Sequence, residues 1–470
     1  MIQSTNNEVQ STKHKAPSEI LKLKSEMTRD VIIIGAGAAG LAAARDLGKA
    51  GLDIVVLEAR DRVGGRIFTQ HERDSSLPIE LGAEFIHGKS KEIFSIVNEA
   101  KLDVGEVTGR HWFVDEGKLS KSGVFWSAVE KIFARMYDVI TDCSFEDFLR
   151  SLPDDEYSPR AKEMAKRFVE GFHAADITRI GIHGLTAIED ASHPIDGERA
   201  FRLRHGYDGI TSWLQRETET SGGRIKLQAP VRELKWQSKA VEVRLVCGDL
   251  YPATVALITV PLSVLQLETT QEGAIRFDPA LPDWKLRGIR GLEMGVALRV
   301  ALHFKNSFWE RLTLPGTGEH GLKNLGFIHY PDGELPTWWT TLPEHRAILV
   351  GWAGGPDAKR LSSETEDEIV NKAVRSLSQI FGVDESELRG LITKTYFHNW
   401  HKDERTRGGY SYVPVNGLEH QLNLAKPVNG TLFFGGEATS LGNVGTVHGA
   451  IQSGERAARE ILTALGRHPQ

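Results

Sequence analysis

Cysteine is scarce in this chain, which has two among 470 residues. Cys143 and Cys247 are far apart and stand in no CxxC pattern, which excludes a redox disulfide of that type and a cysteine-rich metal site. The serine-nucleophile pattern GxSxG, the zinc pattern HExxH and a cysteine–histidine nucleophile pattern are also missing. We therefore expect two reduced thiols in a cytoplasmic protein, and we predict no metal site.

The chain also lacks a long apolar run and an excess of basic charge. No stretch of 18 apolar residues occurs, so we expect no membrane anchor. Residues 1–28 are polar without an apolar run of signal-peptide length, and they are expected to form a disordered or loosely attached leader. With 57 basic against 63 acidic residues, the net charge of −6 gives no reason to expect nucleic acid as a partner.

In length and composition the chain is that of a folded protein. Its 470 residues are enough for two domains, and its 40% hydrophobic and 26% charged residues are ordinary globular values. No internal repeat or low-complexity tract occurs. The chemistry therefore has to be sought in the motifs.

A glycine-rich stretch near the N-terminus is the strongest local signal. Val31–Ile34 are apolar and β-branched, typical of a strand buried on both faces, and a GxGxxG pattern follows and leads into an alanine-rich helical run. Here the first glycine allows a sharp turn, the second lets the backbone approach a pyrophosphate, and the third lets the helix pack on the strand. The pyrophosphate would lie at the helix N-terminus, where free N–H groups favour negative charge. The glycines are Gly35, Gly37 and Gly40.

A second strand that ends in an acid completes a dinucleotide-binding unit. Residues 53–57 are predicted to be this strand, and Glu58 follows 23 residues after the first glycine, close to the spacing of about 20 expected for the acid that binds ribose hydroxyls. Gly64, Gly65 and Arg66 come next. The glycines allow close backbone approach to a ligand, and the arginine can bind a phosphate. The fingerprint alone does not separate NAD from FAD.

Two distant motifs carry a family resemblance. Residues 57–67, LEARDRVGGRI, resemble the second glycine motif of the flavin-containing amine oxidases. Residues 432–440, LFFGGEATS, and 445–458, GTVHGAIQSGERAA, resemble that family's closing FAD motif. The similarity runs from about residue 29 to about residue 465 and is weak in the middle. In its motifs the chain is most similar to the polyamine and spermine oxidases of the family.

The resemblance implies an α/β (α+β) fold. A Rossmann-like FAD-binding domain of the amine-oxidase type would be joined to a discontinuous substrate domain of a mixed sheet plus helices. Within the latter, Gly295–Phe304 alternates at period two and is predicted to be a strand, and Gly316–Gly333 is predicted to be a surface loop. The expected ranges are 29–108, 200–277 and 396–466 for the FAD-binding domain, and 109–199 and 278–395 for the substrate domain.

The resemblance also implies which residues contact FAD. The cofactor is expected to be non-covalent, because Gly409 stands where the monoamine oxidases of the family carry the cysteine that bonds to the flavin. The expected cofactor-binding residues are Gly35, Gly37, Ala39, Gly40, Glu58, Arg60, Gly65, Arg66, Gly82, Ala83, Glu84, Phe85, Val231, Trp400, Gly436, Glu437, Thr446 and Val447.

The candidate catalytic residues are Arg299, His87 and Tyr410. Tyr410, in the segment RGGYSY, resembles the family aromatic residue that shapes an amine cage, and a ring face attracts a cation by roughly 0.5–2 kcal/mol. Thr446 is small where the monoamine oxidases have a second aromatic residue, which is like the polyamine oxidases and histone demethylases. His87 matches a histidine of animal polyamine oxidases and could hydrogen-bond the amine or share a proton.

Arg299 is the main departure from the family. Many members have a lysine on this strand, which holds a water near flavin N5. Arginine keeps the charge but does not lose its proton, and its planar fork is suited to carboxylates. It could therefore act near the flavin, hold a substrate carboxylate, or form a structural ion pair.

The reaction that the resemblance implies is oxidation of a polyamine-like primary or secondary amine. Hydride transfer to flavin N5 gives an imine that water hydrolyses, and O2 reoxidises the flavin to yield H2O2. The alternatives are an L-amino-acid oxidase that uses Arg299, a demethylase-like or partner-bound flavoprotein, and a desaturase or protoporphyrinogen-type oxidase. The oligomeric state is left open by the sequence.

Overall fold

The computed structural model describes residues 29–72, 78–115, 118–121, 124–312 and 321–467. The expected leader, residues 1–28, lies outside the described residues. The strands are β1 Arg29–Ile34, β2 Ile54–Leu57, β3 Thr69–His71, β4 Pro78–Glu80, β5 Ile86–His87, β6 Val104–Glu106, β7 Arg110–Asp115, β8 Lys118–Lys121, β9 Ala200–Leu203, β10 Arg224–Lys226, β11 Val231–Gln237, β12 Ala240–Leu245, β13 Leu250–Ile258, β14 Arg276–Asp278, β15 Glu293–Met294, β16 Ala297–Phe304, β17 Leu325–His329, β18 Thr337–Thr340, β19 Ile348–Gly354, β20 Ile392–Phe397, β21 Ser411–Tyr412 and β22 Leu432–Phe434.

The helices connect these strands and cover both faces of the first sheet. The helices are α1 Ala38–Lys49, α2 Lys91–Ala100, α3 Val124–Met136, α4 Phe145–Ser151, α5 Pro159–Phe172, α6 Ile182–Ser192, α7 Asp208–Thr220, α8 Leu262–Leu265, α9 Asp283–Arg290, α10 Gly355–Leu361, α11 Glu366–Phe381, α12 Glu385–Leu391, α13 Leu418–Ala425 and α14 Val447–Ala464. Short 3-10 turns lie at His193–Ile195, Phe308–Arg311 and Glu437–Thr439.

The first sheet is built around β1. In the described part of the chain its order is β10-β2-β1-β13-β12-β11-β14, with β22 also paired to β13. Strands β10, β2, β1, β13 and β22 are parallel, so their carboxyl ends meet at one edge. All four residues Val31–Ile34 are buried, as expected for a strand covered on both faces. This edge is where an α/β sheet of this kind binds its ligand.

The second sheet is mixed and largely antiparallel. Its order is β20-β16-β19-β18-β17-β7-β8, and only the β7–β17 pair among these described strands is parallel. The period-two prediction for 295–304 is confirmed, since Leu298, Val300 and Leu302 pack into one core while the alternate residues face elsewhere. Of the surface-loop prediction for 316–333, residues 316–320 lie outside the described residues, and the prediction is wrong at residues 325–329. They form β17, because pairing with both β7 and β18 outweighs the glycine-rich composition.

The α/β fold class is confirmed, whereas the domain limits stay predictions. Strand β20 runs to Phe397, two residues beyond the predicted limit at 395, and β14 includes Asp278, one residue beyond the limit at 277. Cys143 and Cys247 are both free thiols. In the described ranges, no helix combines the length and apolarity needed to cross a bilayer.

Candidate active site

One cavity of about 2240 Å³ lies between the two sheets. Its wall includes the carboxyl ends of β1, β2 and β13, the face of the second sheet, and residues from α3, α5 and α6. Every residue predicted to contact cofactor or substrate lines this cavity except Gly40. A space of this size holds a dinucleotide together with a smaller substrate, since drug-sized ligands fill roughly 300–1,000 Å³.

The glycines after β1 have the backbone geometry that their spacing predicts. Gly35 has φ of +107°, which side chains with a Cβ rarely adopt. A Cβ on Gly40 would lie 2.0 Å from the Gly35 carbonyl oxygen, so α1 packs against the turn only because this position has no side chain. A Cβ on Gly37 would meet nothing within 4 Å, which leaves room for a ligand at the N-terminus of α1. The Thr259 hydroxyl, at the end of β13, fixes the turn by donating to the Ile34 and Gly35 carbonyls at 2.9 and 3.1 Å.

Glu58 is held at the end of β2 by backbone donors. Its side chain is 6% exposed, and its carboxylate accepts from the Ala36 and Arg60 amides at 2.8 and 2.9 Å. Both oxygens keep a free lone pair, so the carboxylate can still accept from ribose hydroxyls. The Arg60 side chain makes a bidentate pair with Asp403 at 2.7 and 2.9 Å, which ties this corner to the C-terminal part of the chain. Thr406 accepts a further bond from the same guanidinium.

Arg66 joins the two motifs that carry the family resemblance. Its Nη1 donates to Glu437 Oε1 at 2.8 Å and to the Gly409 carbonyl at 2.9 Å. Glu437 is buried and also accepts from the Gly445 amide at 2.9 Å and from the Ser411 hydroxyl at 2.5 Å. The arginine is therefore an ion-pair partner as well as a cavity-lining cation.

The segment Gly82–Phe85 passes along the cavity in close contact with its neighbours. A Cβ on Gly82 would lie 1.9 Å from the Arg66 carbonyl oxygen, so only glycine fits. The Ala83 amide donates to the same oxygen at 3.1 Å. Trp400 is buried and donates from Nε1 to the Leu81 carbonyl at 2.7 Å, which fixes its ring at the cavity wall.

Arg299 is part of a buried ionic cluster. Its Nη2 lies 2.7 Å from Glu84 Oε2, its Nη1 donates to the Gly82 carbonyl at 3.0 Å, and its guanidinium lies 5.8 Å from the Trp339 ring centroid. Arg202 Nη2 lies 2.8 Å from the other Glu84 oxygen. Burial raises the pKa of Glu84, but Arg202, Arg299 and the hydrogen bond from the Trp339 indole together lower it, so the net pKa is below the ordinary value and the carboxylate is ionised. The Arg299 charge is thus paired within the protein.

Tyr410 is fixed to the C-terminus of α5. Its hydroxyl donates to the Phe172 carbonyl at 2.6 Å, and the Trp352 indole donates to the adjacent Gly171 carbonyl at 3.0 Å. These two carbonyls have no partner inside the helix, so the aromatic donors satisfy them. The Phe172 side chain is 47% exposed and lines the cavity.

The region around Tyr410 contains three uncharged histidines. Burial lowers the pKa of His87 to about 4, and burial together with proximity to His87 lowers the pKa of His173 and His448 to about 4. His448 is oriented by Asn443, whose Oδ1 lies 3.1 Å from its Nε2. Within the described ranges the His87 imidazole has no hydrogen-bond partner, and it lies edge-on to the Phe172 ring with the two centroids 5.3 Å apart. At neutral pH these rings add no positive charge that would repel an amine.

Two glutamates from the helices have no ion-pair partner among the described residues. Glu170, at the end of α5, and Glu189, in α6, both line the cavity. Burial raises the pKa of Glu170 to about 7, although Lys166 and Arg167 lower it, and burial raises the pKa of Glu189. A cationic group of a ligand beside these carboxylates would be attracted by a negative charge that is not shared with an ion-pair partner.

The cavity fits FAD by its own features. It offers a helix N-terminus beside a glycine with open space, a buried acid at ribose spacing, and two further glycine-containing segments along one wall. Gly65 has φ of +57°, and a Cβ there would lie 3.6 Å from Gly37, so the two glycine motifs meet face to face. Val231 and Thr446 also line the cavity.

Sequence reasoning missed several residues of the site. His448 was detectable, because it lies inside the closing motif next to two predicted residues. Glu80, Glu170, Phe172 and Arg202 carry no sequence signal of their own, since only tertiary packing brings them to the cavity or to the ionic cluster.

Comparison with known proteins agrees with this geometry. Residues 38–462 match the family model described as flavin containing amine oxidoreductase. Polyamine oxidase 3 of Oryza sativa subsp. japonica is 28% identical over 467 residues, covering 92% of this chain and 89% of that protein. A structure of putrescine oxidase bound to putrescine has a TM-score of 0.77 at 22% identity, covering 93% and 99% of the two chains. Cyclohexylamine oxidase from Brevibacterium oxydans IH-35A has a TM-score of 0.77 at 20% identity, covering 94% and 100%.

Proposed function

Since the chain belongs to the flavin containing amine oxidoreductases, we propose that it is an oxidase of diamines and polyamines. The chain is a flavin-dependent oxidoreductase that acts on amines, and FAD is its cofactor. The proposal concerns the substrate class, the bond that is attacked and the use of O2. It is supported by the relative named polyamine oxidase and, above all, by the unpaired Glu170 carboxylate on the cavity wall.

The reacting nitrogen must be uncharged when hydride leaves the neighbouring carbon. When bound, FAD accepts this hydride at N5 and is reoxidised by O2 with release of H2O2. The neutral His87 can accept a hydrogen bond from the amine, and Tyr410 presents a ring held by its bond to Phe172. Water then hydrolyses the imine to an aldehyde or ketone and releases the amine product.

A second ammonium group on the substrate would bind Glu170. We propose that one nitrogen of a diamine lies beside Tyr410 while the other binds Glu170, since both residues line the same cavity. An ionised hydrogen-bonded pair of this kind contributes about 1.5–3 kcal/mol. A monoamine lacks this contact.

The L-amino-acid oxidase alternative loses its main support. It required Arg299 to hold a substrate carboxylate, but this guanidinium is 3% exposed and already paired with Glu84. If Arg299 bound a substrate carboxylate instead, Glu84 would stay buried with Arg202 as its remaining ion-pair partner and the Trp339 indole as a neutral donor. We therefore favour a substrate without a carboxylate.

A screen for peroxide release tests the proposal. The purified protein is supplied with putrescine, spermidine, spermine, cyclohexylamine, L-arginine and a methylated lysine peptide. The expected result is turnover of the diamines and polyamines with kcat/KM well above the other compounds. Turnover of L-arginine or of the peptide alone would replace the proposal by the amino-acid-oxidase or demethylase-like alternative. The cytoplasmic location stays a prediction.

A further inference from the structure

A narrow cleft of about 50 Å³ lies behind the buried ionic cluster. Its outer part is lined by the half-buried Arg204, Glu344 and Arg346, and its inner part by Glu80, Glu84, Arg202 and Arg299. Since one water molecule in the liquid occupies about 30 Å³, the cleft has room for about one or two waters.

The cleft and the main cavity are separated by one layer of side chains. Glu84 and Arg299 line both spaces, and they are joined to each other at 2.7 Å. Glu80 lines the cleft but not the main cavity. A proton that reaches Glu84 from the cleft side therefore arrives at the wall of the cofactor cavity without crossing any further layer.

The groups around Glu80 keep its carboxyl in place and uncharged near neutrality. The Thr69 hydroxyl and the Tyr207 amide donate to its two oxygens at 2.7 and 2.8 Å. Burial raises the pKa of Glu80 to about 8; these hydrogen bonds and the Arg299 charge lower it, and the Glu84 charge raises it. The remaining charged groups that border the cleft are Arg202, Arg204, Glu344 and Arg346.

We propose that this cleft carries a proton between solvent and the active-site cavity, with Glu80 holding the proton between transfers and the ionised Glu84 accepting it transiently at the cavity wall. The inference rests on the amine-oxidase function proposed above. Arg299, which does not lose its proton, keeps Glu84 in position. Glu80 and Arg299 are positioning and proton-holding residues in this scheme, and neither forms a bond to the substrate.

The reaction has one proton to move. Binding as an uncharged amine means that R–CH2–NH3⁺ releases one proton to become R–CH2–NH2. A C–H bond then breaks, its electron pair leaves as hydride to FAD, and R–CH=NH2⁺ remains. Water converts this imine to R–CHO and NH4⁺. O2 takes the two electrons, the hydride hydrogen and the released proton to form H2O2, so that the balance is R–CH2–NH3⁺ + O2 + H2O giving R–CHO + NH4⁺ + H2O2.

The test uses the holoenzyme and does not depend on the amine substrate. FAD is reduced with dithionite, mixed with oxygenated buffer in a stopped-flow instrument, and its reoxidation is followed by absorbance in H2O and in D2O across the titration range of Glu80. The variants are Glu80→Gln and Glu80→Asp. The matched control is Glu92→Gln, because Glu92 is a buried glutamate of α2 that lines neither the cavity nor the cleft.

The parent should show a solvent isotope effect and a rate that falls as pH rises through about 8, where Glu80 loses its proton. Glu80→Gln should slow reoxidation about tenfold and remove this pH dependence, since positioned proton transfer contributes about 10²-fold or more and cleft water replaces part of it. Glu80→Asp should keep the pH dependence of the rate, because it retains an ionisable carboxyl, and Glu92→Gln should match the parent.

Two results would overturn the inference: a Glu80→Gln variant with the parent's rate, isotope effect and pH profile, or a parent whose reoxidation shows neither a solvent isotope effect nor a pH dependence. If Glu80→Gln does not retain FAD, the parent and Glu80→Asp decide the question. If the reoxidation test contradicts the proton route while the amine screen is positive, the proposed function stands. If the reoxidation test supports the proton route while the amine screen is negative, only the substrate assignment is lost.

Discussion

Arg299 and Glu84 are joined by a 2.7 Å contact, Nη2 to Oε2, at a place where neither side chain is more than one-tenth exposed. The pair connects β16 of the second sheet to the Gly82–Phe85 segment that lines the cofactor cavity. Arg202 on the other side of Glu84 extends the connection to β9. Arg299 is therefore paired with a buried counter-ion, Glu84, and this pair holds the cavity-lining segment Gly82–Phe85 in place.

Replacing Arg299 by Met should destabilise the protein by about 3 kcal/mol, the lower end of the cost of breaking a buried pair, because Arg202 still compensates Glu84. Arg299→Lys keeps a charge and should be tolerated in part. The measurement is the free energy of unfolding of the holoprotein in denaturant, together with stopped-flow flavin reduction by spermidine.

The double variant Arg299→Met/Glu84→Gln is the control for this pair. Removing both charges should recover about 1–3 kcal/mol relative to the sum of the single changes. Strict additivity would show that the two residues do not interact. A selective rise in KM for L-arginine would instead indicate that Arg299 binds a substrate carboxylate.

FAD should leave the protein on treatment with acid or heat, because the sequence resemblance predicts that Gly409 stands at the position of the family's attachment cysteine. A Cβ on Gly409 would lie 2.9 Å from the Ala297 Cβ, so Gly409→Cys should cost about 1–3 kcal/mol of stability through overpacking, and Ala297→Gly should relieve it. Absorbance of the supernatant after acid precipitation checks the first point. Yellow, flavin-bearing precipitate from the parent would refute non-covalent attachment.

Glu58→Ala should weaken FAD binding by about 1.5–3 kcal/mol, which is roughly a ten- to hundredfold rise in Kd. The carboxylate would be lost both as an acceptor for the ribose and as a partner for the Ala36 and Arg60 amides. Titration of the apoprotein with FAD measures the change. Asp61→Ala is the control, since Asp61 lies outside the cavity lining; an equal effect in both variants would sink the assignment of Glu58 to the ribose.

Glu80 should make the protein less stable as pH rises from about 4.5 to about 8. Its pKa in the folded protein is raised to about 8 above the ordinary 4.5, so the folded state holds a proton that the unfolded state has lost in this window. Stability therefore falls with rising pH, by at most about 1.4 kcal/mol per pH unit for one proton. Thermal unfolding of the parent and Glu80→Gln across this window gives the difference. Parallel curves would contradict the assignment.

Much of the cofactor half could be predicted from the sequence because its signals are local. A strand, three glycines, a helix and an acid occur within residues 31–58, and each element imposes its own backbone requirement, as the φ of Gly35 and the missing Cβ of Gly40 show. The alternation of 297–304 likewise depends only on neighbouring residues.

The partners of the charged residues could not be predicted, because they come from distant segments. Arg299 and Glu84 are separated by 215 residues, and Arg66 and Glu437 by 371. Period and composition say which residues share a strand face, but they do not say which strand approaches that face. Strand β17 shows the same limit, since two neighbouring strands pair with a segment whose glycines suggested a loop.

Glu170→Gln should lower kcat/KM for putrescine and spermidine roughly ten- to hundredfold, and it should leave a monoamine of similar length nearly unchanged. The physical reason is the loss of a charge-assisted contact with the distal ammonium, worth about 1.5–3 kcal/mol. Because burial raises the pKa of Glu170 to about 7, the preference of the parent for diamine over monoamine should grow as pH rises through about 7, where this carboxyl ionises. Glu404→Gln is the matched control: Glu404 lines the cavity next to Arg405 and Thr406, at the end where Arg60 binds, so its loss should not alter the diamine preference. Steady-state peroxide assays on both variants with both amines give the comparison. An equal loss for monoamine and diamine would show that Glu170 supports the shape of the cavity and does not bind the second ammonium, and the substrate would then have to be sought among amines with one charge.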